Sequence, residues 1–252
     1  MIIKILLICL AGFLGAMVDA IVGGGGLITI PALFATGMPS HLALGTNKFA
    51  SSMGTISSAY HYYKSGVVDL KLLKYFLPLS LVGSAVGVWA VLQMEADFLK
   101  NLVIVMVLII GVYTLVNKEL GLHHKFESIS RKKIILGMLL AVTLGFYDGF
   151  FGPGTGSFII FGLIGIFGMD FKHASANAKF MNFTSNFTAL VLFLINGKIY
   201  FVYGVPMAFS MMLGAKVGAS LAVNKGAKFI KPVFVLVSFA LVLKMVFDSF
   251  GG

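Results

Sequence analysis

Apolar and polar positions in this chain fall into long blocks rather than the short alternations of a soluble domain. Apolar runs occupy residues 2–36, 42–63, 72–94, 98–117, 133–168, 174–195, 199–223 and 229–247. They repeatedly reach the 18 or more residues that cross a bilayer. Hydrocarbon offers no water to the backbone, so runs of this length predict helices. The one long polar stretch, 117–133, carries Lys118, His123, His124, Lys125, Arg131, Lys132 and Lys133. It predicts a connecting loop that divides the chain.

Two of the apolar runs are broken by glycine. The first break is Asp19-Ala-Ile-Val-Gly23-Gly24-Gly25-Gly26, and the second is Asp148-Gly-Phe-Phe-Gly152-Pro153-Gly154-Thr155-Gly156-Ser157. Irregular backbone at membrane depth is tolerated only where protein or a water-filled cavity receives its polar groups. Two such breaks at matching places in two halves point to a substrate site. Residues 27–38 and 157–169 would then be short half-helices.

The two halves align. Asp19 and Gly23 match Asp148 and Gly152 at a shift of 129; beyond a two-residue insertion the shift is 131. At that shift Lys48-Phe49 matches Lys179-Phe180, Gly66 matches Gly197, and Phe98-Leu-Lys100 matches Phe229-Ile-Lys231. Gly83 and Gly87 likewise match Gly214 and Gly218, a spacing that lets helices approach closely. Agreement in one register indicates an internal repeat. If each first run turns back at its glycines, the halves are inverted. Thirteen of the Lys and Arg residues then share one side and four lie opposite, with Lys48 and Lys179 set aside as internal. A single-span reading of those runs divides them less sharply, so the positive-inside rule favours inversion. The expectation is an all-α integral membrane protein: about eight membrane helices plus two Gly-broken re-entrant or half-helix segments, in two inverted repeats. The first repeat covers 1–118, a cytoplasmic connection covers 119–132, and the second repeat covers 133–252. Both termini are external.

Composition agrees with the membrane reading. Hydrophobic residues make up 59% of the 252 and charged residues 11%, against about 25% in soluble domains; mean hydropathy is +1.00. The net charge of +10 does not point to nucleic acid, because the basic residues cluster between apolar runs as topology signals. Cys9 is the only cysteine, which excludes a disulfide framework and a Cys-rich metal site. Residues 1–20 have the marks of a signal peptide. Their place as the first copy of a repeated unit argues against that reading.

Candidate chemistry sits on a polar stripe. Lys48, Ser51 and Thr55 share one helical face, and their repeat partners are Lys179, Asn182 and Asn186. Asn47 and Asn177 lie next to these faces. A lysine within a span needs a partner or a cavity; the alternative is snorkelling to the interface. Half-helix starts expose N–H groups and a positive partial charge, a natural anion site, with Gly24, Gly25, Gly154 and Thr155 as backbone donors. The glycines also suit plain close packing. Gly23 to Gly26 lacks the Lys-Ser/Thr ending of a phosphate loop. Asp19 and Asp148 are the only acids inside apolar runs. Each either couples protons or caps the half-helix that follows. The four positive features predict a cavity of positive potential that takes a small anion, with no cofactor and no metal.

The runs Gly12-Phe-Leu, Asp19-Ala, Gly23 to Gly26 and Pro31-Ala-Leu, followed by Ala43-Leu-Gly-Thr-Asn47-Lys, resemble the sulfite exporter TauE/SafE family. The run Gly145-Phe-Tyr-Asp148-Gly-Phe-Phe-Gly-Pro153-Gly-Thr-Gly156-Ser-Phe resembles that family's partner motif. The resemblance spans essentially the whole chain. It implies a multi-pass transporter of the prokaryotic inner membrane, moving sulfur-containing or related organic anions, with both motifs lining the pathway. A carrier for sulfite, sulfonate or carboxylate working by alternating access is the expectation. The rivals are a passive anion channel, a membrane-embedded enzyme and a structural subunit. An enzyme would need a nucleophile–base pair or metal cluster that the spans do not supply. The lipid bilayer and a small anion are the expected partners; the sequence says nothing of oligomeric state.

Overall fold

A computed structural model describes residues 1–95 and 130–225. The apolar runs 98–117 and 229–247, and most of the connection 119–132, lie outside the described residues. Eight helices make up the rest: α1 Ile2–Val22, α2 Gly26–Phe34, α3 Ser40–Lys64, α4 Leu70–Leu92, α5 Arg131–Phe150, α6 Thr155–Phe167, α7 Phe171–Ile195 and α8 Phe201–Lys225. There is no strand among the described residues. Five helices, α1, α4, α5, α7 and α8, are long and apolar enough to cross a membrane. α3 matches α7 in length at 25 residues, but its polar stripe lowers its hydropathy.

Local signals set the helix ends. The Asp69 carboxylate accepts from the N–H groups of Lys71 and Leu72 at the start of α4, and Ser130 Oγ accepts from Lys133 N at the start of α5. Asp170 Oδ1 accepts from His173 N at the start of α7. Each takes up donors that a helix start leaves unpaired. α1 stops at Gly23, whose φ of 81° is left-handed and whose N–H returns to Asp19 O at 2.8 Å. Glycine enters that region without a Cβ clash. His41 and His173 lie in the first turns of α3 and α7.

Each glycine break folds the chain back. α2 returns along α1, with Gly15 against Thr29 and Lys4 Nζ donating to Thr36 O at 2.9 Å. α6 returns along α5, with Gly162 against Leu140 and Gly137 against Phe167. The half-helices begin one or two residues earlier than expected and end sooner, at Phe34 and Phe167.

Long-range packing joins the early part of the chain to the late part. α4 lies along α5 in the same direction: a Cβ on Gly83 would strike Val142 O, and one on Gly87 would strike Phe146 O. α8 lies along α1 in the same way, through Gly214 against Phe13 O and Gly218 against Met17 O. α3 and α7 run in opposite directions. The turn after α3 meets the start of α7 through Asp69 N donating to Asn177 Oδ1, and the turn after α7 meets the start of α3 through Tyr200 N donating to Thr46 Oγ1, both at 2.9 Å.

The large side chains outside and the polar ones inside invert the soluble pattern. Leu6, Leu10, Val82, Trp89, Leu139, Phe209 and Leu213 are exposed, whereas Lys48, Lys179, Asp148, Asn182 and Asn186 are buried. A lipid-facing surface and an interior that gathers the polar stripes and their two lysines explain this distribution.

Gly87→Val and Gly218→Val are each expected to destabilise the protein by about 1–3 kcal/mol, because the added atoms meet backbone rather than a movable side chain. Gly165→Ala, at a position with open space around it, should leave the melting temperature of detergent-purified protein unchanged or slightly raised.

Candidate functional site

The two glycine breaks meet at the centre of the bundle. Gly23 rests on Gly156, and Ser157 N donates to Gly23 O at 3.2 Å. The last turn of α1 leaves carbonyls that have no partner within the helix. Three hydroxyls from three other helices take them up. Tyr62 of α3 donates to Ala20 O at 2.8 Å, Ser175 of α7 to Ile21 O at 3.3 Å, and Ser157 of α6 to Val22 O at 2.7 Å. In the second break Tyr147 OH donates to Pro153 O at 2.8 Å, and Thr155 Oγ1 to Gly152 O at 2.7 Å.

Around this junction each in-span lysine pairs with the aspartate of the opposite half. Lys48 Nζ lies 2.9 Å from Asp148 Oδ1, with the two side chains only 3% and 2% exposed. Lys48 also donates to Asn186 Oδ1 at 3.0 Å. Asp148 Oδ2 accepts from Ser185 Oγ and, at 3.5 Å, from Asn182 Nδ2. Lys179 Nζ lies 2.7 Å from Asp19 Oδ2; the lysine side chain is fully buried and the aspartate 18% exposed. Asp19 Oδ1 accepts a longer bond, 3.4 Å, from Gly25 N.

A cavity of ≈ 20 Å³ opens among these groups, lined by Asp19, Gly25, Gly26, Asn47, Lys48, Ser51, Thr55, Asp148, Gly152, Gly156, Asn182 and Asn186, with Ala16 and Met211 as its apolar wall. That volume holds about one water. Asn47 Oδ1 is buried and has no hydrogen-bond partner among the described residues, so it awaits a donor. Thr55 Oγ1 donates to Ser51 O at 2.8 Å, a bond within its own helix.

Most residues expected from the sequence converge here, and some do not. Lys48, Asn47, Ser51, Thr55, Asn182, Asn186, Gly25, Asp19 and Asp148 line the cavity. Lys179 stands behind Asp19. Asn177 lies elsewhere, at the start of α7, where its Nδ2 donates to His173 O at 2.8 Å and its Oδ1 accepts from Asp69 N. Its neighbours there form a separate cavity of ≈ 440 Å³ that includes Asp69, Lys71 and His173. Gly154 and Thr155 are also off the cavity; Thr155 N donates to Gly152 O at 3.2 Å, so the expected free donor is committed. Gly24 packs against Leu27 and Val18. The expected positive potential is offset as well, since two carboxylates balance two ammoniums. Asp19 reaches the start of its half-helix through Gly25 N, whereas Asp148 turns to Lys48 and Ser185. Gly152, Gly156 and Ser157 belong to the second glycine break, expected at the centre though not named as ligand-binding positions, whereas Tyr62 was not foreseen there. Among the described residues, no three His, Cys, Asp or Glu side chains gather to hold a metal ion.

A bundle with an apolar exterior and a charge-paired, polar centre defines a multi-pass membrane protein. The chain belongs to the sulfite exporter TauE/SafE family, which it matches over residues 8–245, and this makes it a member of a membrane-transport family. It is 40% identical over 238 residues to a probable membrane transporter protein of Haemophilus influenzae, covering 94% of this chain and 92% of that one. It is 38% identical over 246 residues to the probable membrane transporter protein YfcA of Escherichia coli, covering 96% and 88%. It is 24% identical over 270 residues to the probable membrane transporter protein YunE of Bacillus subtilis, covering 98% of both chains. No solved structure matches this chain significantly.

Breaking one member of a buried ion pair strands the other charge, at a cost of about 3–5 kcal/mol, whereas replacing both is often near neutral. Asp148→Leu is therefore expected to lower the unfolding temperature strongly, and Lys48→Met combined with Asp148→Leu to recover most of the loss. Thermal unfolding of the purified variants measures both.

Proposed function

We propose that this protein is a carrier for a small organic anion, of the sulfite, sulfonate or carboxylate type, working by alternating access in the prokaryotic inner membrane. The observation that carries the reading is the central cavity, where an ammonium, three amides and two hydroxyl side chains of α3 and α7 surround the meeting point of the two glycine breaks. Lys48 attracts the anion, and Asn47, Asn182 and Asn186 orient its oxygens, with Ser51 and Thr55 beside them. A protonatable aspartate couples the movement to protons.

The halves 1–118 and 133–252 act as two inverted repeats joined by a cytoplasmic connection, with both termini external. Supporting this, the pairings exchange between the halves. Lys48 with Asp148 corresponds to Lys179 with Asp19, and Thr46 with Tyr200 corresponds to Asn177 with Asp69. Gly83 with Val142 corresponds likewise to Gly214 with Phe13. Equivalent helices α3 and α7 run in opposite directions, as inversion requires. A cavity that admits about one water favours a carrier over an open channel: an oxyanion enters only when the helices move apart.

The test is flux in proteoliposomes. Wild-type protein should accumulate at least one anion from a panel of sulfite, thiosulfate, sulfoacetate, taurine and simple carboxylates. The Lys48→Met/Asp148→Leu variant, folded by the criterion above, should lose at least about 90% of that flux, since a buried charged hydrogen bond to substrate typically carries one to two powers of ten in affinity. Undiminished flux in the folded variant removes the reading.

A further inference from the structure

The two ion pairs are sequence equivalents, yet their surroundings differ. Both aspartates line the cavity, but Asp148 is the more enclosed and the better satisfied: Lys48, Ser185 and Asn182 supply donors to both of its oxygens, and its side chain is 2% exposed. Asp19 keeps 18% of its side-chain surface and forms part of the cavity wall. Among the described residues it receives, besides Lys179, only the long bond from Gly25 N, although a carboxylate has room for about four donors. Lys179 is fully buried behind it and, among the described residues, pairs with Asp19 alone.

The charges at the centre sum to zero, so an anion drawn to Lys48 brings one negative charge that nothing at the centre balances. One proton on Asp19 changes this in two ways. The centre gains a single positive charge, and an oxygen that could only accept becomes an O–H donor facing the cavity.

We propose that Asp19 is the proton-binding carboxylate of the transport cycle, that it takes up one proton with each singly charged anion, and that the site thereby selects monoanions over dianions. This rests on the anion-carrier reading. The proton comes from water on one side, forms an O–H bond at the Asp19 carboxyl, and returns to water on the other side as the anion leaves. Protonation without an anion leaves the Lys179 ammonium buried with no counter-charge, which is costly. Proton and anion therefore load together, and a proton leak is suppressed. Among the described residues, the charged and titratable groups that face Asp19 are few. They are Lys179 from α7, Lys48 from α3 and Asp148 from α5 across the cavity, and Tyr62 from α3, whose hydroxyl is committed to Ala20 O. α2 and α6 carry no titratable side chain, and α8 brings only Met211 to the cavity.

Ethanesulfonate, isethionate, acetate and propionate are the monoanion probes, and sulfate and thiosulfate the dianions. A sulfonate keeps its charge across the working pH range, so any pH dependence of its binding belongs to the protein. In wild-type proteoliposomes, influx of a carried monoanion should bring one proton per anion and be indifferent to membrane potential, with dianions at least about tenfold slower. Affinity should rise about tenfold for each unit of pH lowered while Asp19 is ionised in the free protein. Asp19→Asn should bind the same probe with no pH dependence and exchange anion for anion, but lose proton-driven accumulation. A wild-type pH slope in Asp19→Asn overturns the proposal, and so does anion flux in the wild-type protein without protons, or flux driven by sodium instead. The wild-type proton-to-anion ratio decides the matter even if Asp19→Asn is not recovered folded. If no probe is carried or exchanged at all, the anion-carrier reading itself falls, and this inference with it.

Discussion

Two buried ammoniums hold this structure to its particular shape. A charge in hydrocarbon is costly and is held by a counter-charge. Lys48 and Lys179 find theirs on α5 and α1, across the boundary between the two halves. This requirement fixes which helices can be neighbours. α3 must lie within reach of Asp148 and α7 within reach of Asp19, so both glycine breaks are drawn to the same point. The hairpins α1–α2 and α5–α6, the contact of Gly23 with Gly156, and the cavity between them follow from satisfying the two lysines at once.

The apolar contacts serve this arrangement rather than compete with it. Glycines at 83, 87, 214 and 218 remove the side chains that would hold α4 from α5 and α8 from α1. In lipid such close approach is stabilised by dispersion and by weak backbone contacts rather than by the exclusion of water. The large side chains are left for the lipid face. The hydroxyls of Tyr62, Ser175 and Ser157 then finish the carbonyl end of α1, so the chain can stop a helix at depth without leaving acceptors bare.

Much of this was legible in the sequence. The helical class came from run length alone, and the glycine breaks from their position inside apolar runs. Gly83 and Gly87, with their equivalents, announced close helix contacts. The face Lys48, Ser51, Thr55 and its partner Lys179, Asn182, Asn186 was readable from helical spacing. The exchange of partners between the halves was not. The two acids inside apolar runs match in number the two lysines on the polar stripes, and that was the available signal, but periodicity along a chain carries no information on which distant helix supplies a counter-charge. Asn177 was misplaced for a related reason: proximity to Lys179 in sequence puts it nearby along the axis, and two residues of helical turn, about 200°, aim it elsewhere. Thr155 looked like an open donor because a helix start leaves its amide free, and the turn at Gly152 took it up.

The crossed pairing also bears on how the chain reaches the membrane. Lys48 and its partner Asp148 are separated by 100 residues, and Asp19 and Lys179 by 160. A ribosome adds about 5–20 residues per second, so Lys48 leaves the ribosome roughly 5–20 seconds before the carboxylate that neutralises it. During that interval α3 carries a charge without its partner, which disfavours it in hydrocarbon as an independent span. The pairing that settles the first half is complete only once the second half has been made.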